Sequence, residues 1–302
     1  MTDAASQPLS RTRPFYWSVR RELWEHRSIF IAPLVASVLV VCGDLLSSIG
    51  MPARRLQTLR LDPAHQSIVM GEPYVFAHAA LTLILMILAA FYCLGALFNE
   101  RQDRSILFWK SLPVSDLTAV LSKAAIPMIV LPTVGVLATG AVHAVILLQT
   151  TLILLAAGVS PATPWTLGYV VGEGVALVYS WITLTLWLAP VYGWLLLVST
   201  WARRAPFLWA VLPPLGLCLL EKLAFNTTHV TSLVIDRLTG SSEHAFVTTA
   251  PGQPKPPGMP RLGLEQIDLG KFLTSPGLWI GLLAFAACLA GCVWLRRRRE
   301  PN

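Results

Sequence analysis

The chain has 302 residues, of which 55% are hydrophobic and only 13% charged. Water-soluble domains carry roughly 25% charged residues, so the composition excludes a soluble globular protein even though the length would accommodate one or two soluble domains. The net charge of +7 does not point to nucleic acid. The basic residues flank long apolar runs, where the positive-inside rule places them.

Taken in order, residues 1–28 form an N-terminal segment of aromatics, acids and arginines, unlike a cleavable signal peptide. Within it, Tyr16, Val19 and Leu23 share one helical face, with Arg20, Arg21 and Arg27 largely elsewhere, which predicts an amphipathic helix in the membrane interface. Six apolar runs follow. They lie at about 29–49, 74–98, 124 to 148–157, 167–198, 206–225 and 276–295, each long enough to cross the hydrocarbon. The third and fourth are longer than needed, and Pro127, Pro132 and Pro190 are the expected points of irregularity. The fold class is therefore an all-α integral membrane protein: six transmembrane helices in 29–302, preceded by an interfacial helix.

Cys42, Cys93, Cys218, Cys288 and Cys292 all fall inside predicted spans, so no disulfide framework is implied. Small-residue helix packing is the role expected for Cys288 and Cys292, and Gly168 with Gly172 gives a weak small-xxx-small signal.

Lys and Arg set the orientation. With both termini cytoplasmic, Arg11, Arg13, Arg20, Arg21 and Arg27, then Arg101, Arg104, Lys110 and Lys123, then Arg203 and Arg204, and finally Arg296 to Arg299 in the tail 296–302 all lie inside. The smaller set of Arg54, Arg55, Arg60, Arg237, Lys255, Arg261 and Lys271 lies outside. Arg54 and Arg55, close to the end of the first span, cut against this arrangement.

The loop 99–123 carries the most information. It opens on Glu100, Arg101, Asp103 and Arg104, continues through the apolar Ile106, Leu107, Phe108 and Trp109, and turns at Pro113. Ser115 is placed as an N-cap with Asp116 in the first helical turn, and Lys123 is expected to snorkel to the interface. A short rigid element leading into a span suits a docking site that transmits a push. The same composition also fits a solvated loop whose apolar residues rest on lipid.

The Glu-Arg pair leaving the second span, the apolar patch, Leu112-Pro-Val-Ser115 and the Lys entering the third span resemble the type-2 ABC exporter permeases. So does the whole layout. The resemblance implies a permease in the bacterial cytoplasmic (inner) membrane, paired with a second permease chain, identical or not. It also implies that Glu100, Arg101, Asp103, Arg104, Ile106, Phe108, Trp109 and Pro113 form a coupling element against a separate ATP-binding subunit. That subunit would bind the ATP and Mg; no cofactor is expected in this chain. The family's external segment before the last span often holds re-entrant helices, loosely matched by Val230 to Leu238 in the loop 226–275. The Pro-rich stretch Pro251 to Pro260 is less typical.

No Gly-x4-Gly-Lys-[Ser/Thr] phosphate loop occurs: Gly270-Lys271 is followed by Phe272, and Glu265 stands where the earlier glycine belongs. No catalytic or metal-ligating set is apparent. Asp44, His143 and Glu173 fall within spans and are candidates for a pathway or for interhelical pairing, Asp44 with Arg54 among others. Glu221 and Lys222 are expected to snorkel. The alternatives are an ion-coupled carrier, for which Asp44 is thin support, and an intramembrane enzyme, which would need convergent His, Glu or Asp residues that the chain lacks.

Overall fold

The structure is a computed structural model that describes residues 12–49, 63–102, 115–156, 167–246 and 267–298. Twelve α-helices and one π turn make up almost all of this: α1 Thr12–Glu25, α2 Ser28–Ile49, α3 Pro63–Ala96, α4 Phe98–Gln102, α5 Asp116–Ala125, the π turn Ile126–Val130, α6 Leu131–Ala156, α7 Leu167–Trp201, α8 Pro206–Phe225, α9 His229–Thr239, α10 Ser241–Ala245, α11 Leu269–Thr274 and α12 Pro276–Arg298. Among the described residues the only β pairing is an isolated antiparallel bridge between Phe246 and Ile267. It brings together the two ends of the segment that contains the Pro-rich stretch; that stretch itself lies outside the described residues.

Six helical stretches are long and apolar enough to cross a membrane: Ser28–Ser47, Gly71–Gln102, Asp116–Ile153, Val170–Trp201, Pro206–Phe225 and Pro276–Arg298. Large apolar side chains such as Leu39, Phe91, Leu137, Leu223 and Leu283 stay on the outside, as expected where the surrounding solvent is lipid. Helix α3 begins well before Tyr74, because hydropathy reports the apolar run and not the helix that extends beyond it. Helix α5 opens on the expected cap: the Ser115 hydroxyl accepts the Thr118 N–H at 3.1 Å, and Asp116 occupies the first turn. Of the three prolines expected to disturb the spans, Pro127 lies inside the π turn and Pro132 lies just past its end, at the second position of α6. Pro190 lies within a continuous helix, since neighbouring helices make a proline tolerable at such a position.

The core follows α7. Leu177, Trp181, Leu188, Tyr192, Leu195, Leu196 and Val198 pack with α3 residues such as Leu85, Ala89 and Cys93 and with Cys292 of α12. Close approach of α7 to α12 depends on small residues. A methyl group at Gly193 would lie 2.9 Å from a ring carbon of Phe285, and one at Gly291 would lie 3.1 Å from Leu197. All five cysteines are free thiols.

The end of the bundle formed by α9–α11 is held by polar contacts. Glu221 was expected to snorkel, but its carboxylate instead caps α9, accepting the His229 N–H at 2.7 Å and the Val230 N–H at 2.7 Å. Asn226 ends α8 in the left-handed region, φ 51°, with its N–H donating to the Lys222 carbonyl. Arg237 lies over the Trp187 ring at 4.3 Å and donates to the Gly277 carbonyl at 2.6 Å, which ties α9 to the start of α12.

Replacing Gly193 by valine is expected to cost about 1–3 kcal/mol through overpacking. Gly43, whose position has nothing within 4 Å, should accept valine with little change. Thermal unfolding of the two detergent-solubilised variants checks the pair: a melting temperature lowered for Gly193→Val alone is the expected result.

Candidate functional site: a buried ionic clamp

At the other end of the bundle, charges meet inside the protein. Helix α1 turns Val19 and Leu23 toward the core, and Glu22 lies on the same face, one turn from Val19. Its side chain is only 2% exposed. A carboxylate so placed needs a cation, and Lys123 of α5, also 2% exposed, supplies it: Lys123 Nζ donates to Glu22 Oε1 at 2.8 Å. The Tyr92 hydroxyl of α3 donates to the other oxygen at 2.9 Å.

Lys123 simultaneously lies 3.1 Å from Glu100 Oε1. Arg21 Nη2 lies 3.5 Å from the same oxygen, and its guanidinium also pairs with Glu25. Arg296, close to the end of α12, donates from Nη1 to Glu100 Oε2 at 3.0 Å and from Nε to Asp116 Oδ1 at 2.9 Å. Glu22, Glu100 and Asp116 thus face Lys123, Arg296 and Arg21. The cluster joins α1, α4, α5 and α12, and Arg21, Glu22, Glu100, Lys123 and Arg296, with neighbours from α1 and α5, line a pocket of about 280 Å³.

Arg101 makes a second fastening. Its Nη2 donates to the carbonyls of Ser199 at 2.6 Å and Ala202 at 2.8 Å, at the C-terminal end of α7, where a cation is favoured by the helix dipole. The Ser199 hydroxyl in turn accepts the N–H groups of Leu97 and Phe98. The turn out of the second span is therefore bound to the end of the fourth.

Several sequence expectations change. Lys123 does not snorkel; it is buried, because two carboxylates compensate its charge more completely than a partial return to water would. Glu100 and Arg101 face inward and bind the chain's own groups, so neither presents its charge as a free docking contact. Asp103, Arg104, Ile106, Phe108, Trp109 and Pro113 lie outside the described residues. In α1, Tyr16 is exposed together with Trp17 and Trp24, not aligned inward with Val19 and Leu23. Arg20 is positioned over both indoles, at 5.1 and 4.7 Å.

The span candidates Asp44, His143 and Glu173 stand on α2, α6 and α7. His143 Nε2 donates to the Tyr74 carbonyl at 3.1 Å, and Gln149 donates to the Asp44 carbonyl at 3.5 Å. Both contacts are interhelical. The Asp44–Arg54 pairing falls outside the described residues. Among the described residues no group of three His, Cys, Asp or Glu is arranged to hold a metal ion. Comparison with known proteins gives no match to any family model, curated protein or solved structure.

The clamp makes a quantitative expectation. Removing one partner of a buried ion pair costs roughly 3–5 kcal/mol, and Lys123→Met would also leave Glu22 and Glu100 facing each other. Lys123→Met should therefore unfold at a markedly lower temperature than the native chain at neutral pH, and adding Glu22→Gln should recover part of the loss. Equal stability of Lys123→Met and the native chain would contradict the clamp.

Proposed function

We propose that the chain is the membrane-spanning permease subunit of an ABC exporter. In this reading it lies in the bacterial cytoplasmic membrane with both termini inside, pairs with a second permease chain, and couples through residues 103–114 to a separate subunit that binds ATP and Mg. The observation that carries the reading is that Glu100 and Asp116, on either side of that segment, are both held by Arg296. A segment clamped at both ends moves with the elements it is clamped to. Load applied there passes to α12 through Arg296, to α1 through Lys123 and Glu22, and into the third span through α5.

The third span is also where the helix departs from α geometry, at the π turn Ile126–Val130. Such turns are frequent at functional positions. The orientation is supported by the exposed Arg203 and Arg204 and by Arg297 and Arg298 at the same end as the clamp. The exposed Tyr16, Trp17 and Trp24, with Arg20 over the indoles, support reading α1 as an interfacial helix among lipid headgroups. In this account Ile106, Phe108 and Trp109 supply the apolar contact to the ATP-binding subunit, Asp103 and Arg104 set its orientation, and Pro113 stiffens the return.

The test is affinity purification of the tagged chain from its native membranes, followed by assay for a bound ATP-hydrolysing subunit. A buried interface aromatic is worth about 2 kcal/mol or more. Trp109→Ala should therefore reduce retention of the subunit sharply while membrane levels of the chain stay normal. Deletion of 251–260 should leave retention intact. Unchanged retention by Trp109→Ala would count against the coupling role, and absence of any ATP-binding partner from the native preparation would overturn the reading.

A further inference from the structure

A polar group facing hydrocarbon or the apolar core of a bundle must find its partner within the protein, and the spans largely obey this. Thr133, Thr151, Thr185 and Thr200 return their hydroxyls to the carbonyl four residues back. The Trp187 and Trp194 indole N–H groups donate to the carbonyls of Asp236 and Ala210. Among the described residues of α3, α6 and α7, four buried atoms do not follow the pattern and have no protein hydrogen-bond partner: His78 Nδ1, Thr82 Oγ1, Thr139 Oγ1 and Trp181 Nε1. Thr139 is 0% and Trp181 4% exposed.

These four groups are not scattered. The bond from His143 to the Tyr74 carbonyl sets α3 against α6. One turn onward in α3 is His78 and one turn back in α6 is Thr139; a further turn reaches Thr82 and Gly135. At Gly135 the space for a side chain is filled by the Trp181 indole, which a methyl group there would approach to 2.6 Å. The His78 ring meets the same indole edge-on at 5.9 Å between centroids. Three helices thus bring the four groups to adjacent levels of one seam.

The chemistry of the set narrows what it takes. Ser180 donates its hydroxyl proton to the Leu177 carbonyl at 2.9 Å, so toward His78 Nε2, 3.5 Å away, it only accepts. Nε2 of the neutral ring then carries the hydrogen, and Nδ1 is left as an acceptor. The indole N–H is a donor only, and each threonine hydroxyl does both. No carboxylate, lysine or arginine belongs to the set, so it does not suit an ion. It suits a small neutral group that donates and accepts at once.

We infer that α3, α6 and α7 enclose a built-in water site, in which ordered water bridges His78, Thr82, Thr139 and Trp181. Buried water typically makes two to four hydrogen bonds to such groups, and this set supplies them. The inference does not depend on the permease reading. Bonds through water are readily exchanged, so the site would let α3, α6 and α7 shift against one another without stranding a polar atom.

X-ray hydroxyl-radical footprinting of the detergent-solubilised full chain tests this, because radicals formed from bound water oxidise adjacent side chains. Trp187, on the same helix and equally buried but with its N–H bonded to protein, is the internal control. Trp181 is expected to be oxidised faster than Trp187. In the near-isosteric Thr139→Val the Trp181 rate should fall toward that of Trp187, with the melting temperature lowered by roughly 2 °C. A Trp181 as slow as Trp187, as a dry seam or one filled by a lipid or detergent hydroxyl would give, overturns the inference. So does a Trp181 rate that Thr139→Val leaves unchanged, or a melting temperature that it leaves unchanged or raises, as removing a dry unsatisfied hydroxyl would do.

Discussion

A lysine ammonium withdrawn from water costs several kcal/mol unless carboxylates replace its hydration, and Lys123 is withdrawn almost completely. Two acids meet it, from different parts of the chain: Glu22 before the first span and Glu100 at the end of the second. Each needs further partners of its own, and these come from Tyr92, Arg21 and Arg296. Because no member is satisfied alone, α1, the start of α4, α5 and the end of α12 are bound into one element. The residues on either side of the segment 103–114, Glu100 and Asp116, are both members of that element.

Helix α12 is thereby secured at both ends. Arg296 holds its last turn, and Arg237 of α9 holds its first through the Gly277 carbonyl while covering Trp187 of α7. Between these points α12 lies against α7 across glycine contacts at Gly193 and Gly291. The small residues permit close approach, and Arg237, over the Trp187 ring and on the Gly277 carbonyl, ties the two helices together at one end. The permease reading uses this arrangement: a displacement at the clamp would have a stiff route to the opposite end of the bundle.

The spans were legible in the sequence because hydropathy is a local property. The ends of α8 and the start of α12 fall where the apolar runs predict, and the Ser115 cap was visible from Ser-Asp followed by an apolar helix. The clamp was not legible as a whole. Two of its central pairs, Lys123–Glu22 and Arg296–Glu100, join residues about a hundred and nearly two hundred positions apart, and no spacing rule connects them. One clue was present: Glu22 shares a helical face with Val19 and Leu23, and a carboxylate on an apolar face requires a cation. Lys123, set among Val120, Ala124 and Ala125, made the complementary demand. Reading it as a snorkelling lysine considered only the escape to water and not an internal acid. Glu221 was misread for the same reason, since its three acceptor contacts lie on residues beyond the end of its own helix.

The central claim is that Arg296 binds both flanks of the segment 103–114 to the rest of the clamp. Hydrogen–deuterium exchange of the native chain and Arg296→Met, compared peptide by peptide, addresses it directly. The account predicts that exchange accelerates together in peptides covering 12–27 and 99–125, far from position 296 in sequence, while α8 is unaffected. Faster exchange confined to the last turns of α12, with 12–27 and 99–125 unchanged, would contradict it.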